Sequence, residues 1–343
     1  MNELTESIAR RRLGRLLGQL GPLLALVVVY LSFGAADQAR RGEKATFLSV
    51  NNVRNMSEQT VVVATAALGM TIVIVSGGID LSAGTALALS ATTLAWCLRE
   101  NYGPAAALAA ALGIGGLAGL LNGVLISLLR VVPFIITLGT MTVFLGLAKL
   151  LSDGSTVQPR LEQVPAWLSD LVLSPFEPKW LVEPVLPNFS PAVWIVVALA
   201  AASAAMLKFT VFGRYVFAVG SNEPTARLCG INVPLVKIAV YTLAGLFLGA
   251  AGVLQFSRLS SGDPTSGTGL ELKIIAAVVI GGGSLSGGRG SILGTVAGAA
   301  LMVVISSGCN ILAVSNAVQD IVIGAIIIAA VTLDQIRRRR TER

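Results

Sequence analysis

Apolar runs of about twenty residues, the length that carries a helix across the ~30 Å hydrocarbon core of a bilayer, follow one another through nearly the whole chain. Between Pro104 and Leu129 there is no charged residue. In lipid the backbone must satisfy its own hydrogen bonds, so these runs predict helices, and the chain reads as an all-α polytopic membrane protein. Only 13% of its 343 residues are charged, against about 25% in soluble domains.

Counting runs of that length gives about ten spans, near 17–35, 53–76, 84–98, 104–129, 132–151, 191–207, 234–256, 274–283, 292–308 and 317–333. They form one transmembrane domain over 17–333, with a basic segment at 1–16 and a basic tail at 334–343. An even count places both termini on one side. Arg10, Arg11, Arg12 and Arg15 at one end and the run Arg337 to Arg340 at the other make that side cytoplasmic, and Arg130, Arg214, Arg227 and Arg289 fall with them. Arg40, Arg41, Lys44, Arg160 and Lys179 run against the rule. The stretch 152–190, with Trp167 and Trp180 suited to the membrane interface, becomes an outer loop, and so does 257–273. A basic start, the apolar run Leu20 to Phe33 and Ala35-Ala36 imitate a secretory signal, but the run reads as an uncleaved first helix.

Several function classes fall away. The net charge of +7 comes from clusters flanking apolar spans, which argues for topology signals and against nucleic acid. Cys97, Cys229 and Cys309 stand apart without metal-ligand spacing, and the chain has no histidine. Metalloenzyme chemistry thus loses its commonest ligand, and histidine proton relays and Ser–His catalysis have no histidine to use.

The main polar interruption is Phe212 to Val233, FGRYVFAVGSNEPTARLCGINV. Its charges exclude a span, since a charge at mid-bilayer costs several kcal/mol. Gly220-Ser221-Asn222-Glu223 predicts a turn into a helix capped by Ser221 or Asn222, with Pro224 in the first turn and Gly230 at the C-terminal end. That gives a short helix outside the bilayer, either an ordinary loop element or a surface on which a partner pushes.

Other features stay open at this level. Asp80, in Ser76-Gly77-Gly78-Ile79-Asp80-Leu81-Ser82-Ala83-Gly84, is either a helix cap, with Ser82, or a working membrane carboxylate. Val75 to Gly84 resembles Val279 to Gly288 as a weak internal repeat. Rows of glycine at four-residue spacing (Gly115, Gly119, Gly123; Gly245, Gly249; Gly290, Gly294, Gly298) fit close helix packing inside one subunit or at a seam between two. Asn122, Thr137 and Thr140 are uncharged polar groups for a translocation path or for helix-to-helix hydrogen bonds. Arg160, Lys179, Arg258, Glu271 and Lys273 are outer-side charges, for docking a partner or simply solvated.

Three blocks, GMTIVIVSGGIDLSAG, GRYVFAVGSNEPTARLCGINV and AAVVIGGGSLSGGRGS, resemble in sequence and order the permease subunits of bacterial ABC importers of the ribose and monosaccharide class. The resemblance covers about 47–333. It implies a type II-like permease in the bacterial inner membrane, forming a pore for a monosaccharide delivered by a periplasmic sugar-binding protein. Its partners would be an ATP-binding subunit with two nucleotide domains, a second permease copy or a paralogue, and membrane lipid. It implies ATPase-coupling roles for Gly213, Arg214, Gly220, Asn222, Glu223, Ala226, Arg227 and Gly230. Ser76, Gly77, Gly78, Asp80, Ser82, Gly84, Ser284, Ser286 and Arg289 would form cytoplasmic turns or a gate. No GxxxxGK[ST] loop is present, so no ATP is expected on this chain and no enzyme activity of its own. The alternative is an ion-coupled secondary sugar transporter, which would carry acids or broken helices at mid-membrane; the sequence displays little of either.

Overall fold

The computed structural model describes residues 2–174 and 189–341. The helices, in chain order, are α1 (Asn2–Arg41), α2 (Val50–Val75), α3 (Ala83–Arg99), α4 (Pro104–Leu129), α5 (Pro133–Leu151), α6 (Ala166–Leu173), α7 (Pro191–Phe209), α8 (Val211–Ser221), α9 (Glu223–Leu228), α10 (Val233–Leu259), α11 (Leu270–Ile280), α12 (Ile292–Ile311) and α13 (Asn316–Thr341). Each predicted span falls on a helix. Among the described residues, seven helices are long and apolar enough to cross a bilayer: α1, α2, α4, α5, α7, α10 and α12. α3 and α11 fall short at 17 and 11 residues, and the apolar part of α13 is limited to Asn316–Ala329.

The bundle is organised around α2, whose apolar window is almost wholly buried, with α12 nearly as enclosed. The broad outer faces of α1, α4 and α5 show Val28, Leu31, Leu117, Leu128, Ile135 and Leu150. That is the expected inversion in lipid, where helices associate through close packing rather than by hiding apolar surface from water.

The glycine rows work inside this one chain. A β-carbon on Gly115 would lie 2.6 Å from the main chain of Gly249, and one on Gly123 2.8 Å from Ile238. Gly119 and Gly245 likewise admit no side chain against Tyr241 and Gly115. α4 and α10 therefore meet backbone to backbone, which brings many dispersion contacts into range at once.

Two of the arginines that run against the charge rule have a structural use. Arg40 and Arg41 donate to the carbonyls of Leu312 and Ile311, at the end of α12. Cations at a helix C-terminus satisfy orphan carbonyls and oppose the negative end of its dipole.

The segment after α10 departs from its predicted place as an outer loop. It folds back along α3, with Gly262 against Thr92 and Ala95 and Gly267 against Gly84 and Ala88. Only glycine permits such an approach of an irregular strand to a helix. α11 then starts inside the bundle, about 16 Å of helix away from its own far end. α3 starts at the same level, so two helix N-termini face each other deep in the structure.

Candidate functional site

Three segments singled out in the sequence converge at one end of the bundle. α2 ends in Ser76-Gly77-Gly78, where Gly77 takes φ +83 and the amides of Gly77 and Gly78 bond back to Ile74 and Val73. α11 ends in the same way, with Gly282 at φ +93 and the amides of Gly282 and Gly283 bonded to Val279 and Val278. Both are left-handed glycine caps. The repeat is thus structural over this turn, one residue out of the register read from sequence: Gly77 matches Gly282. Beyond it the two connections diverge, the first rising into the bundle and the second folding on itself, with Ser284 N–H donating to Arg289 O at 3.1 Å.

Gly220, at the end of α8, sits between them. A side chain there would overlap Val75 O, and Gly288 N–H donates to that same oxygen at 2.9 Å. A β-carbon on Gly287 would lie 2.5 Å from Gly220 O and 2.9 Å from Gly77 Cα. Gly77, Gly220, Gly287 and Gly288 thus form a junction of main chain against main chain. A cleft of about 230 Å³ opens beside it, lined by Gly78, Ser221, Glu223, Lys237, Tyr241 and Ser286.

The predicted short helix is α9. Of the two cap candidates Asn222 serves, accepting from Thr225 N–H at 2.9 Å, and Pro224 occupies the first turn. Gly230 takes φ +82, with its own amide on Arg227 O and that of Ile231 on Ala226 O. Glu223 pairs with Arg227 at 3.1 Å along the helix and with Lys237 of α10 at 2.8 Å. Ala226 faces inward and is buried, whereas Leu228 is 89% exposed beside exposed Arg227 and Cys229. Sequence reading missed α8, which takes Phe212 to Ser221 out of the predicted loop. Thr210 caps it through Gly213 N–H, and Gly213 packs tightly on the main chain of Leu207. Arg214 and Arg289 are exposed.

A second constellation is buried beneath the junction. Asp80 Oδ1 accepts from Ser82 N–H at 2.8 Å and from Ser82 Oγ at 2.6 Å. Asn122 of α4 donates to Ser82 Oγ at 2.8 Å, and Thr140 of α5 donates to Asn122 Oδ1 at 2.6 Å. Thr137 and Tyr241 both donate to Ile79 O at 3.3 Å. Two open readings narrow. Asp80 is not a side-chain cap of α3, because its bonds close a turn on Ser82, which itself makes no cap bond. Of the two uses open to Asn122, Thr137 and Thr140, the structure displays hydrogen bonding between segments: all three are buried in this network with protein partners.

The outer-side charges also change place. Arg160 is exposed, and Lys179 lies outside the described residues. Glu271 is 9% exposed, with Oε1 accepting from Gly269 N–H at 3.1 Å, so it offers nothing to a docking partner. Arg258 and Lys273 are half-buried and line a cleft. With Asp80 and Glu271 inside and α3 and α11 beginning deep in the bundle, the chain carries more buried acid and more interrupted helix than its sequence displays.

Tyr241 and Lys237 were missed as site residues. Their signal was available, since both are polar groups within the first turns of an otherwise apolar span. Among the described residues no cluster of three or more metal-ligating side chains occurs.

Comparison with known proteins agrees over most of the chain. Residues 52–331 match the family model described as "Branched-chain amino acid transport system / permease component". The ribose import permease protein RbsC of Escherichia coli K12 is 40% identical over 288 residues, covering 84% of this chain and 87% of that protein. RbsC of Bacillus subtilis 168 is 37% identical over 317 residues, covering 92% of each. The fructose import permease protein FrcC of Rhizobium meliloti is 34% identical over 315 residues, covering 92% of this chain and 84% of that protein. No solved structure matches significantly. The chain is a multi-pass helical protein that belongs to the transport-permease family in which these ribose and fructose import permeases stand.

Proposed function

We propose that the chain is the membrane-spanning subunit of an ATP-driven importer in the bacterial inner membrane, passing a monosaccharide handed over by a periplasmic binding protein. ATP is bound and hydrolysed by a separate subunit with two nucleotide domains, and the pore is completed by a second permease copy or a paralogue. About ten helices traverse or enter the bilayer, with both termini and the α8–α9 segment on the cytoplasmic side.

The observation that carries this reading is α9. A six-residue helix is too short to hold itself in water, yet this one is capped at both ends and tied to α10 by Glu223–Lys237. Its Arg227-Leu228-Cys229 corner faces outward. Through α8 the same element abuts the glycine junction. A helix that is exposed yet fixed at its root suits a surface that receives a push.

Cys229 provides the test. It is exposed, whereas Cys97 and Cys309 are buried, so a thiol-directed photo-crosslinker attaches at α9 in the native sequence. Membranes expressing the chain with its neighbouring transport subunits are solubilised in mild detergent, crosslinked and identified by mass spectrometry. The expected partner is an ATPase with two nucleotide domains. A preparation that imports sugar on an ion gradient alone, with no ATPase at Cys229, overturns the reading.

A further inference from the structure

We infer that the cleft between α2, α10, α11 and α12, at the opposite end of the bundle from the glycine junction, is a solute subsite that takes an uncharged polyhydroxylated molecule. The inference rests on the transport reading above. It also moves the solute-contacting surface away from Asn122, Thr137 and Thr140.

The cleft measures about 110 Å³, several times the 10–15 Å³ that one water needs. Gln59 of α2, Gln255 of α10 and Ser306 of α12 line it, with Arg258 of α10 and Lys273 of α11. Gln255 is only 7% and Ser306 only 8% exposed. Buried polar groups are ordinarily hydrogen-bonded, and leaving one unpaired costs about 1–3 kcal/mol. Of the buried hydroxyls and amides of α2–α5, Thr65, Thr71, Asn122 and Thr140 have partners, whereas Thr92 Oγ1 of α3 has none. Gln59, Gln255, Ser306 and Lys273 line the cleft, and their side chains make no hydrogen bond to any described residue; Gln59 and Lys273 are half-buried. Unspent donors and acceptors from four helices converge on one space.

Their chemistry narrows the ligand. Each glutamine amide offers a donor and an acceptor, the serine offers both, and the ammonium offers donors alone. A sugar hydroxyl also donates and accepts, so the two amides and the serine can pair with a polyol in either sense. The carboxylate of Glu58, which pairs with Arg54 at 3.1 Å, lies near enough to Arg258 to act on its charge without pairing with it. Gln59 stands about 24 Å along α2 from its Val75 end, which sets the cleft in the half of the bundle where solute arrives if the junction is cytoplasmic. A surface of single hydrogen-bonding groups suits passage, because the solute must leave as well as enter.

The test uses the assembled importer in proteoliposomes, with Cys97, Cys229 and Cys309 replaced by alanine. Ser306→Cys is nearly isosteric; Gln255→Cys and Ser266→Cys serve as second and third positions around the same space. Ser90→Cys, in the fully buried face of α3, is the unreactive control. Ser306→Cys should react with a membrane-impermeant methanethiosulfonate at least tenfold faster than Ser90→Cys. Ribose-loaded binding protein should slow that reaction, and the modified complex should lose ribose uptake. Labelling as slow as at Ser90→Cys for all three positions, or complete modification with uptake unchanged, overturns the subsite while importer function stands. If the unsubstituted complex imports none of ribose, xylose and fructose, the transport reading fails before any cysteine is placed, and the subsite falls with it.

Discussion

A β-carbon on Gly84 would lie 2.5 Å from Glu271 Oε2, so the start of α3 admits the start of α11 only because residue 84 has no side chain. Gly84 stands at the second position of α3 and Glu271 at the second position of α11. One carboxylate therefore lies between the positive ends of two opposed helix dipoles, where negative charge is favourable. Gly84→Ala should overpack this contact at a cost of about 1–3 kcal/mol. The purified variant should melt several degrees below the parent in detergent, whereas Gly139→Ala, with open space around it, should not.

Glu223→Gln removes both ion pairs of α9 at once. The carboxylate is 38% exposed, and exposed pairs contribute about 0–1 kcal/mol, so the folded protein should survive. Its consequence falls on orientation, because Lys237 is the tie to α10. In the reconstituted complex, solute uptake per ATP hydrolysed should drop severalfold while basal ATP hydrolysis continues. An unchanged ratio would show that the tie does not set the angle of α9.

Gly230→Val tests the same element from its other end. A β-branched residue is strongly disfavoured at φ +82, and the cap bonds of Gly230 and Ile231 depend on that conformation. The expected phenotype is an uncoupled but membrane-inserted permease, as for Arg214→Glu on the exposed face of α8. Wild-type uptake with either change would remove the coupling role from this segment.

Thr140→Val deletes the donor to Asn122 Oδ1 without changing shape and leaves a buried acceptor unpaired. The cost should be about 1–3 kcal/mol. Because Asn122 also reaches Ser82, Thr140→Val and Asn122→Leu should be non-additive in a double-mutant cycle of detergent melting. Additive losses would mean that the two bonds act independently.

Much of this architecture was legible because membrane spans and caps are local signals. The break between the spans near 104–129 and 132–151, the stop at Gly230 and the cap at Asn222 depend on neighbours in sequence. What was not legible depends on contacts far along the chain. Nothing around Glu271 distinguishes a loop charge from a buried one; the difference lies in Gly84 and Gly267, the latter lining a segment that turns inward. α8 escaped because its amphipathic run, with buried Val216 and Val219, is punctuated by Gly213 and Gly220, which read as breaks. Asn122 and Thr140 were rightly marked as polar groups inside spans, but only the fold reveals that Thr140 spends its hydroxyl on Asn122 and Asn122 its amide on Ser82.

The junction of Gly77, Gly220, Gly287 and Gly288 has no rotamers. Where two elements meet through side chains, a displacement of an ångström is absorbed as torsions turn, and the far element hardly responds. Main chain in contact with main chain has no such slack, so a shift of α8 must carry the ends of α2 and α11 with it or break the contact. The same property removes a means of adjustment: a joint with no side chains cannot be loosened or tightened by small substitutions, only kept or lost.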